Sequence, residues 1–248
     1  MGGLAHYIED EGVPTTQICL IREHSEAIKP PRALWVPFEL GRPLGVPDDP
    51  EFQNRVLLAS LKLLEGVSGP VLKDFSEDAP ASELSETGWA CPVNFTEKPK
   101  NLNDNETLRA AFKREVVELR PWYDQGLKQR GRTTFGVSSL DMDTIVDFIG
   151  AFLDGIPPNP RDDLNLAMTL NFAVDDLKAF YYEAVSAQPG QARADSAVLD
   201  NWFWQETVVS RILFQIQERC LKSDDKMFQL LGKILLIPST QANRKKGE

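Results

Sequence analysis

The sequence predicts an α/β (α+β) protein with a small, mostly parallel sheet in the N-terminal third and a largely helical C-terminal half. Two β-rich runs, TTQICLI at 15–21 and ALWVPF at 33–38, are short and indicate strands. Beyond residue 105, long segments repeat apolar residues at helical spacing, which indicates packed amphipathic helices. RTTFGVSSL at 132–140 predicts a third strand at 133–138, so both halves could share one sheet.

The N-terminal elements follow one another closely. A short helix is predicted over 4–11, before the first strand, and ELGRPLGVPDDP at 39–50 predicts an irregular loop after the second strand. Asp48 or Asp49 can cap a helix that starts at Pro50 and runs to about residue 65. The apolar residues predicted to share one face of this helix are Val56, Leu57, Leu61 and Leu64.

Composition divides the chain into three parts. Residues 1–69 form an α/β segment, 70–104 an acidic, Pro-rich connection, and 105–248 a mainly helical part. Helices in the last part are predicted over 106–119 with further turns to 129, 143–154, 164–187, 197–221 and 224–236. The three parts could still fold as a single domain if the third predicted strand joins the first two.

Charge and composition exclude several classes of protein. The net charge of −10 argues against nucleic acid as a partner, because phosphate binding needs a basic face. Three cysteines without a CxxC pair argue against a disulfide scaffold or a zinc site, and no metal site is predicted. No apolar run approaches the roughly 20 residues of a membrane span, and the N-terminus does not resemble a secretory signal. A cytoplasmic location is therefore expected.

Charged and titratable side chains concentrate around the two N-terminal strands. Three arginines there can clamp a carboxylate or phosphate. The predicted substrate-binding residues are Arg22, Arg32, Glu39 and Arg42. The predicted catalytic residues are His24, which can exchange protons near neutral pH, and Cys19, for which burial as a small apolar residue is the commoner role. Cys91, in a loop before Pro92, is the more accessible thiol, but no base that could activate it is visible.

The helical half offers weaker signals. Carboxylates on its long helices are expected on the solvated face, as at Asp175, Asp176 and Glu183. Glu206 interrupts an apolar stripe, either through an ion pair with a neighbouring helix or because the stripe curls away from the core. Three consecutive aromatic residues, Trp202–Trp204, cannot share one face of a helix, so core packing competes with a partner surface.

Residues 8–64 resemble the C-terminal part of selenoprotein B, the substrate-binding component of glycine, sarcosine and betaine reductases, and its D-proline reductase relatives. Gly12-Val13-Pro14 precedes a strand with Cys19, and about a dozen residues later a second strand leads to the loop Pro43-Leu44-Gly45 and a helix. The resemblance covers about a quarter of the chain. It implies reductive chemistry on a small amine or amino-acid-like substrate, with a partner subunit that carries a carbonyl cofactor.

The chain departs from this family at the nucleophile. The family's selenocysteine lies just before the helix that corresponds to 4–11, and no cysteine precedes Cys19 here. Three alternatives follow: the start lies upstream, redox chemistry is lost, or Cys19 or Cys91 has a new role.

Two functions therefore compete. The leading interpretation is a reductase-like subunit that acts on or binds a small amine or amino-acid-like substrate; the alternative is a non-catalytic binding or scaffold subunit that docks through its helical half. An enzyme of another class that uses carboxylates such as Glu206 is a third alternative. A partner subunit and a homo-oligomer are both compatible with the sequence, which identifies no cofactor.

Overall fold

The computed structural model divides the chain into two compact units, 1–83 and 84–248. Within them it describes residues 2–66, 69–79, 104–188, 196–238 and 241.

The first unit is built on a parallel sheet of three short strands in the order β1-β2-β3. Its elements in chain order are α1 (Gly2–Asp10), β1 (Gln17–Cys19), α2 (Arg22–Ile28), β2 (Arg32–Trp35), α3 (Pro50–Leu61), a 3-10 turn (Lys62–Glu65) and β3 (Val71–Asp74). In the central strand, Ala33 lies opposite Gln17 on one side and Leu72 on the other. The predicted fold class, a small parallel sheet followed by a largely helical half, is confirmed.

The prediction of a third strand at 133–138 is wrong. These residues form a loop of the second unit, while Val71–Asp74 provides the strand that pairs with β2. The physical reason lies in the backbone of the loop, whose amides at 136–138 bind a carboxylate instead of a neighbouring strand. All strands of the described chain therefore belong to the first unit.

A small apolar core forms in the first unit around β2 and α3. Its buried residues are Leu34, Val36, Phe38, Phe52 and Val56. Asp49 caps α3 by accepting a hydrogen bond from the Phe52 amide at 3.0 Å, as one of the two predicted caps. Gly45 has φ +85°, and a Cβ there would lie 2.6 Å from the Phe52 ring, so the loop before α3 requires glycine.

Most of the residues predicted to share one face of this helix lie outside its buried side. Val56 is buried, but Leu57, Leu61 and Leu64 are 40%, 53% and 36% exposed. Phe52, Val56 and Ser60, spaced by four residues, occupy the buried side instead. The spacing of the leucines shows that they share a face, but it does not show which face meets the core.

The second unit is a bundle of helices around a large core. Its elements are α4 (Asn105–Arg130), α5 (Met142–Ala151), α6 (Leu166–Ser186), α7 (Ser196–Glu206), α8 (Val208–Lys222), α9 (Lys226–Leu230) and a π-helical turn (Leu231–Leu235). The most extensive packing joins α4 to α6. α4 continues through the exposed Pro121, where the sequence predicted a break, and ends at Gly131 with φ +65°. Packing along α6 outweighs the local cost of the proline.

The predicted helix over 197–221 is two helices. Thr207 leaves the helical conformation, with φ −82° and ψ 153°, and its side chain accepts a hydrogen bond from the Ser210 amide at 3.3 Å. This single residue ends α7 and caps α8. The amides of Val208 and Val209, in the first turn of α8, have no acceptor within the helix and need one from another part of the core.

Candidate functional site

The first unit contains a groove of about 550 Å³ beside β1, which we call the β1 groove. Its walls come from α1, from β1 with the residues that flank it, from α2 and from Leu40. The lining residues are Gly2, Leu4, Ala5, Ile8, 15–21, His24, Ser25, Ile28 and Leu40. None of them is Asp, Glu, Lys or Arg, so the lining carries no permanent charge. Such a surface suits an apolar or uncharged ligand.

The two predicted catalytic residues both line the β1 groove. Cys19 ends β1 and is half-buried, while the exposed His24 lies in the first turn of α2. Partial burial raises the pKa of the Cys19 thiol above its usual 9.0, although a hydrogen bond with Ser25 acts in the opposite direction. The thiol therefore stays protonated near neutral pH and is a poor nucleophile there.

Arg22 lies outside the groove lining and is held by two carboxylates. It forms an ion pair with Glu26, one turn further along α2. Its Nε donates a hydrogen bond to Oδ1 of Asp74, at the end of β3, at 3.1 Å. The side chain thus ties α2 to β3 at the surface.

Arg32 is buried and forms hydrogen bonds with groups of its own unit. It is 8% exposed, and its Nη1 donates to Oε1 of Glu9 at 2.6 Å while Nη2 donates to the Gly66 carbonyl at 3.2 Å. The same Glu9 oxygen accepts from the amide and hydroxyl of Thr15 at 2.7 and 2.8 Å. These hydrogen bonds, led by that of the Thr15 amide and aided by Arg32, lower the pKa of Glu9. The arrangement joins α1 to β2.

Arg42 and Glu39 pair with each other at the surface, with Nη1 and Oε2 separated by 3.5 Å. Both side chains are nearly half exposed. The four predicted substrate-binding residues therefore lie outside the lining of the β1 groove, and each arginine already contacts a carboxylate. The structure brings His24 and Cys19 together on one surface and leaves the arginines elsewhere.

The other thiols do not form a second site in the described part of the chain. Cys91 lies outside the described residues. Cys220 is 2% exposed in the core of the second unit, and burial raises its pKa to about 11. No group of three or more His, Cys, Asp or Glu among the described residues is placed to hold a metal ion.

A polar cleft in the second unit has a structural explanation. Asp104, Asn105, Glu106, Arg109 and Asp154 line it. Arg109 pairs with Asp154 at 2.6 Å, and Asn105 donates to the Leu153 carbonyl at 2.9 Å. These bonds hold the start of α4 against the end of α5, and they account for most of the polar groups in the cleft.

The sequence analysis missed a buried carboxylate at Glu115, which is 1% exposed on α4. Its oxygens accept hydrogen bonds from the amides of Val208 and Val209, at 2.9 to 3.2 Å, and from the hydroxyl of Tyr181 at 2.8 Å. Burial raises the pKa of Glu115 to about 7, against the opposing effect of these donors. No local signal marks this residue, because its partners are 66 and more positions away.

The expectation that the carboxylates of α6 are solvated is wrong for Asp176, which is fully buried. Asp176 accepts hydrogen bonds from three successive amides, those of Gly136, Val137 and Ser138, at 2.7 to 2.9 Å, and from the Ser138 hydroxyl at 2.5 Å. Two turns further along α6, Glu183 accepts hydrogen bonds from the amide and the hydroxyl of Thr134. The loop over 133–139 is therefore fixed to α6 by side chains.

The aromatic run at Trp202–Trp204 is a packing feature and not an exposed surface. All three residues are at most 4% exposed. Phe203 packs edge-on against Tyr181 of α6, and the Trp204 indole donates to Asp200 at 3.0 Å. A partner surface at this run is therefore not available in the second unit.

None of the described helices combines the length and the apolar composition that crossing a membrane requires. Comparison with protein-family models, with curated proteins and with solved structures found no match to this chain.

Proposed function

We propose that this chain is a non-catalytic binding or scaffold subunit and that the β1 groove is the surface through which it binds. The observation that carries the proposal is the uncharged lining of the groove. The arginines that would hold an anionic substrate lie elsewhere and contact carboxylates, most completely at Arg32 and Glu9.

The exposed apolar residues of the groove support a binding role. Leu4, Ile28 and Leu40 are 58%, 47% and 73% exposed, although they lie around one concave surface. Burial of apolar surface is favourable by about 25 cal/mol for each Å² removed from water, so the hydrophobic effect stabilises a complex in which a partner covers these residues. A concave cluster of this kind is typical of an interaction site.

The state of Cys19 argues against catalysis. Nucleophilic attack and metal binding both need the thiolate. Burial raises the pKa of Cys19, and the opposing effects of Ser25 and Arg22 do not reverse this shift.

A reductase-like subunit is the second candidate, and one observation favours it. Cys19 and His24 line the same groove, as a thiol and a base that act together would have to. The resemblance of 8–64 to selenoprotein B would then imply a small amine or amino-acid-like substrate and a partner subunit with a carbonyl cofactor. In that case His24 would serve as the acid or base beside the thiol.

Alkylation of Cys19 by iodoacetamide distinguishes the two candidates. We expect Cys19 in the full chain to react near neutral pH no faster than free cysteine, and His24→Ala to leave its rate unchanged. Peptide mass spectrometry reports the three cysteines separately. A rate for Cys19 well above that of free cysteine, lost in His24→Ala, would replace the binding proposal with the catalytic one.

A further inference from the structure

We infer that the β1 groove is covered by a second copy of this chain, whose β1 pairs antiparallel with this one along their free edges. The inference names the partner of the groove and therefore rests on the proposed function. It follows from the backbone of β1, from the difference between the two edges of the sheet, and from the distribution of charge.

The backbone of Ile18 faces away from the sheet. The Val36 amide donates to the Cys19 carbonyl at 3.0 Å, and β1 pairs with β2 over Gln17, Ile18 and Cys19. In a parallel ladder, alternate residues turn both of their backbone groups to the same neighbour. Gln17 and Cys19 therefore face β2, and the N–H and C=O of Ile18 point to the outer edge. β1 has no other neighbouring strand among the described residues.

This arrangement is self-complementary. When two edge strands run antiparallel about a two-fold axis at Ile18, each Ile18 amide donates to the carbonyl of the same residue in the other copy. One symmetric pair of hydrogen bonds thus satisfies the outward groups of both strands. The two three-stranded sheets then continue as one sheet of six strands.

The two edges of the sheet differ in their protection against pairing. The opposite edge strand, β3, carries Lys73 and Asp74, and Asp74 is bound by Arg22. Charged side chains on an edge strand are a common device that prevents edge-to-edge association. β1 has the sequence Gln17-Ile18-Cys19 and carries no charge. The unprotected edge is the one beside the apolar groove.

Charge also favours this surface for self-association. A chain with a net charge of −10 repels its own copies over most of its surface. The β1 groove contributes no carboxylate and no permanent cation to the contact. Two copies can therefore meet here without burying like charges, and exposed Leu4, Ile28 and Leu40 of both chains would be covered.

Native mass spectrometry of the full chain at micromolar concentration tests the inference, with two matched variants. We expect twice the 27.8 kDa mass of one chain for the wild type. Leu4→Lys places a charge in the groove and should weaken the dimer at least tenfold. Leu58→Lys changes the same residue type at nearly the same exposure, 57% against 58%, on α3 outside the groove, and should leave the dimer intact.

Amide hydrogen exchange identifies the edge itself. In the dimer, the Ile18 amide should exchange at least about tenfold more slowly than in the Leu4→Lys monomer. The Cys19 amide, which faces β2 in either state, serves as the internal reference. Equal exchange of Ile18 in dimer and monomer would exclude pairing at this edge.

The outcomes also separate this inference from the proposed function. A wild-type monomer, a dimer that persists in Leu4→Lys, or a dimer lost equally in Leu58→Lys would overturn self-association through the groove. Each of these results leaves the proposed non-catalytic binding role in place if Cys19 is unreactive. A reactive Cys19 that depends on His24 overturns the proposed function whatever the oligomeric state.

Discussion

Tyr181 donates a hydrogen bond to Glu115 at 2.8 Å in the interior of the second unit, and through it α6 and α4 meet the start of α8. Burial raises the pKa of Tyr181 far above its usual value, so the hydroxyl keeps its proton and remains a donor. Glu115 therefore acts as a remote cap for a helix that begins 93 residues later.

The Glu115 carboxyl should make the stability of the second unit depend on pH. Its folded pKa of about 7 exceeds its ordinary 4.5, so between these values the folded state binds more protons than the unfolded state. The free energy of unfolding therefore falls as pH rises through this window, by about 3 kcal/mol in total. Below pH 4.5 the stabilising contribution of Glu115 is fully present, and above about pH 7 Glu115 causes no further change in the free energy of unfolding.

Urea unfolding at a series of pH values measures this effect. We expect Glu115→Gln to flatten the curve between pH 4.5 and about 7, whereas Glu106→Gln, an exposed change on the same helix, should retain the wild-type slope. A wild type whose slope matches that of Glu115→Gln would contradict the raised pKa.

Replacement of Asp176 should release the loop over 133–139. Asp176→Ala removes the acceptor of three backbone amides and of the Ser138 hydroxyl, of which the two groups of Ser138 are buried, at a cost of about 3 kcal/mol or more. Amide exchange at 136–138 should accelerate strongly. Asp175→Ala removes the neighbouring carboxylate, whose side chain is 49% exposed, and should leave these amides protected. Similar exchange in the two variants would show that the loop is held by other contacts.

Arg32 should stabilise the first unit through its buried contacts. Arg32→Ala removes the charged hydrogen bond to Glu9, which then keeps only its bonds from Thr15, and the bond to the Gly66 carbonyl. We therefore expect the free energy of unfolding to fall by about 2 kcal/mol. Arg42→Ala breaks an exposed pair with Glu39 and should cost less than about 0.5 kcal/mol. Hydrogen exchange of the β2 amides reports both changes. Equal effects would remove the distinction between the buried and the exposed arginine.

Much of the fold follows from local signals in the sequence. The run around Cys19 is β-rich and short, which makes β1 predictable. Asp49 can cap a helix and Pro50 suits its first position, which makes the start of α3 predictable. The leucines at 57, 61 and 64 show the limit of such signals. Periodicity places them on one face of the predicted helix over 50–65, but the position of the sheet decides that this face is exposed.

The candidate site was less predictable because its character depends on distant partners. The proximity of Arg22, Arg32 and Arg42 to the strands suggested an anion clamp, yet the carboxylates that occupy Arg22 and Arg32 include Asp74 and Glu9, 52 and 23 positions away. Likewise, no residue near Glu115 or Asp176 in the sequence indicates that these carboxylates are buried acceptors of hydrogen bonds. Pairings of this kind form only when the chain folds.

The pH at which Cys19 becomes a thiolate tests the central claim most directly. The rate of Cys19 alkylation, followed over a pH series in the full chain, gives this value. Because burial raises the pKa of the thiol, we predict a midpoint above the usual 9.0 and little reaction near neutral pH. A midpoint below that value, moved upward by His24→Ala, would show an activated nucleophile and contradict the assignment of the β1 groove as a surface that binds without catalysing.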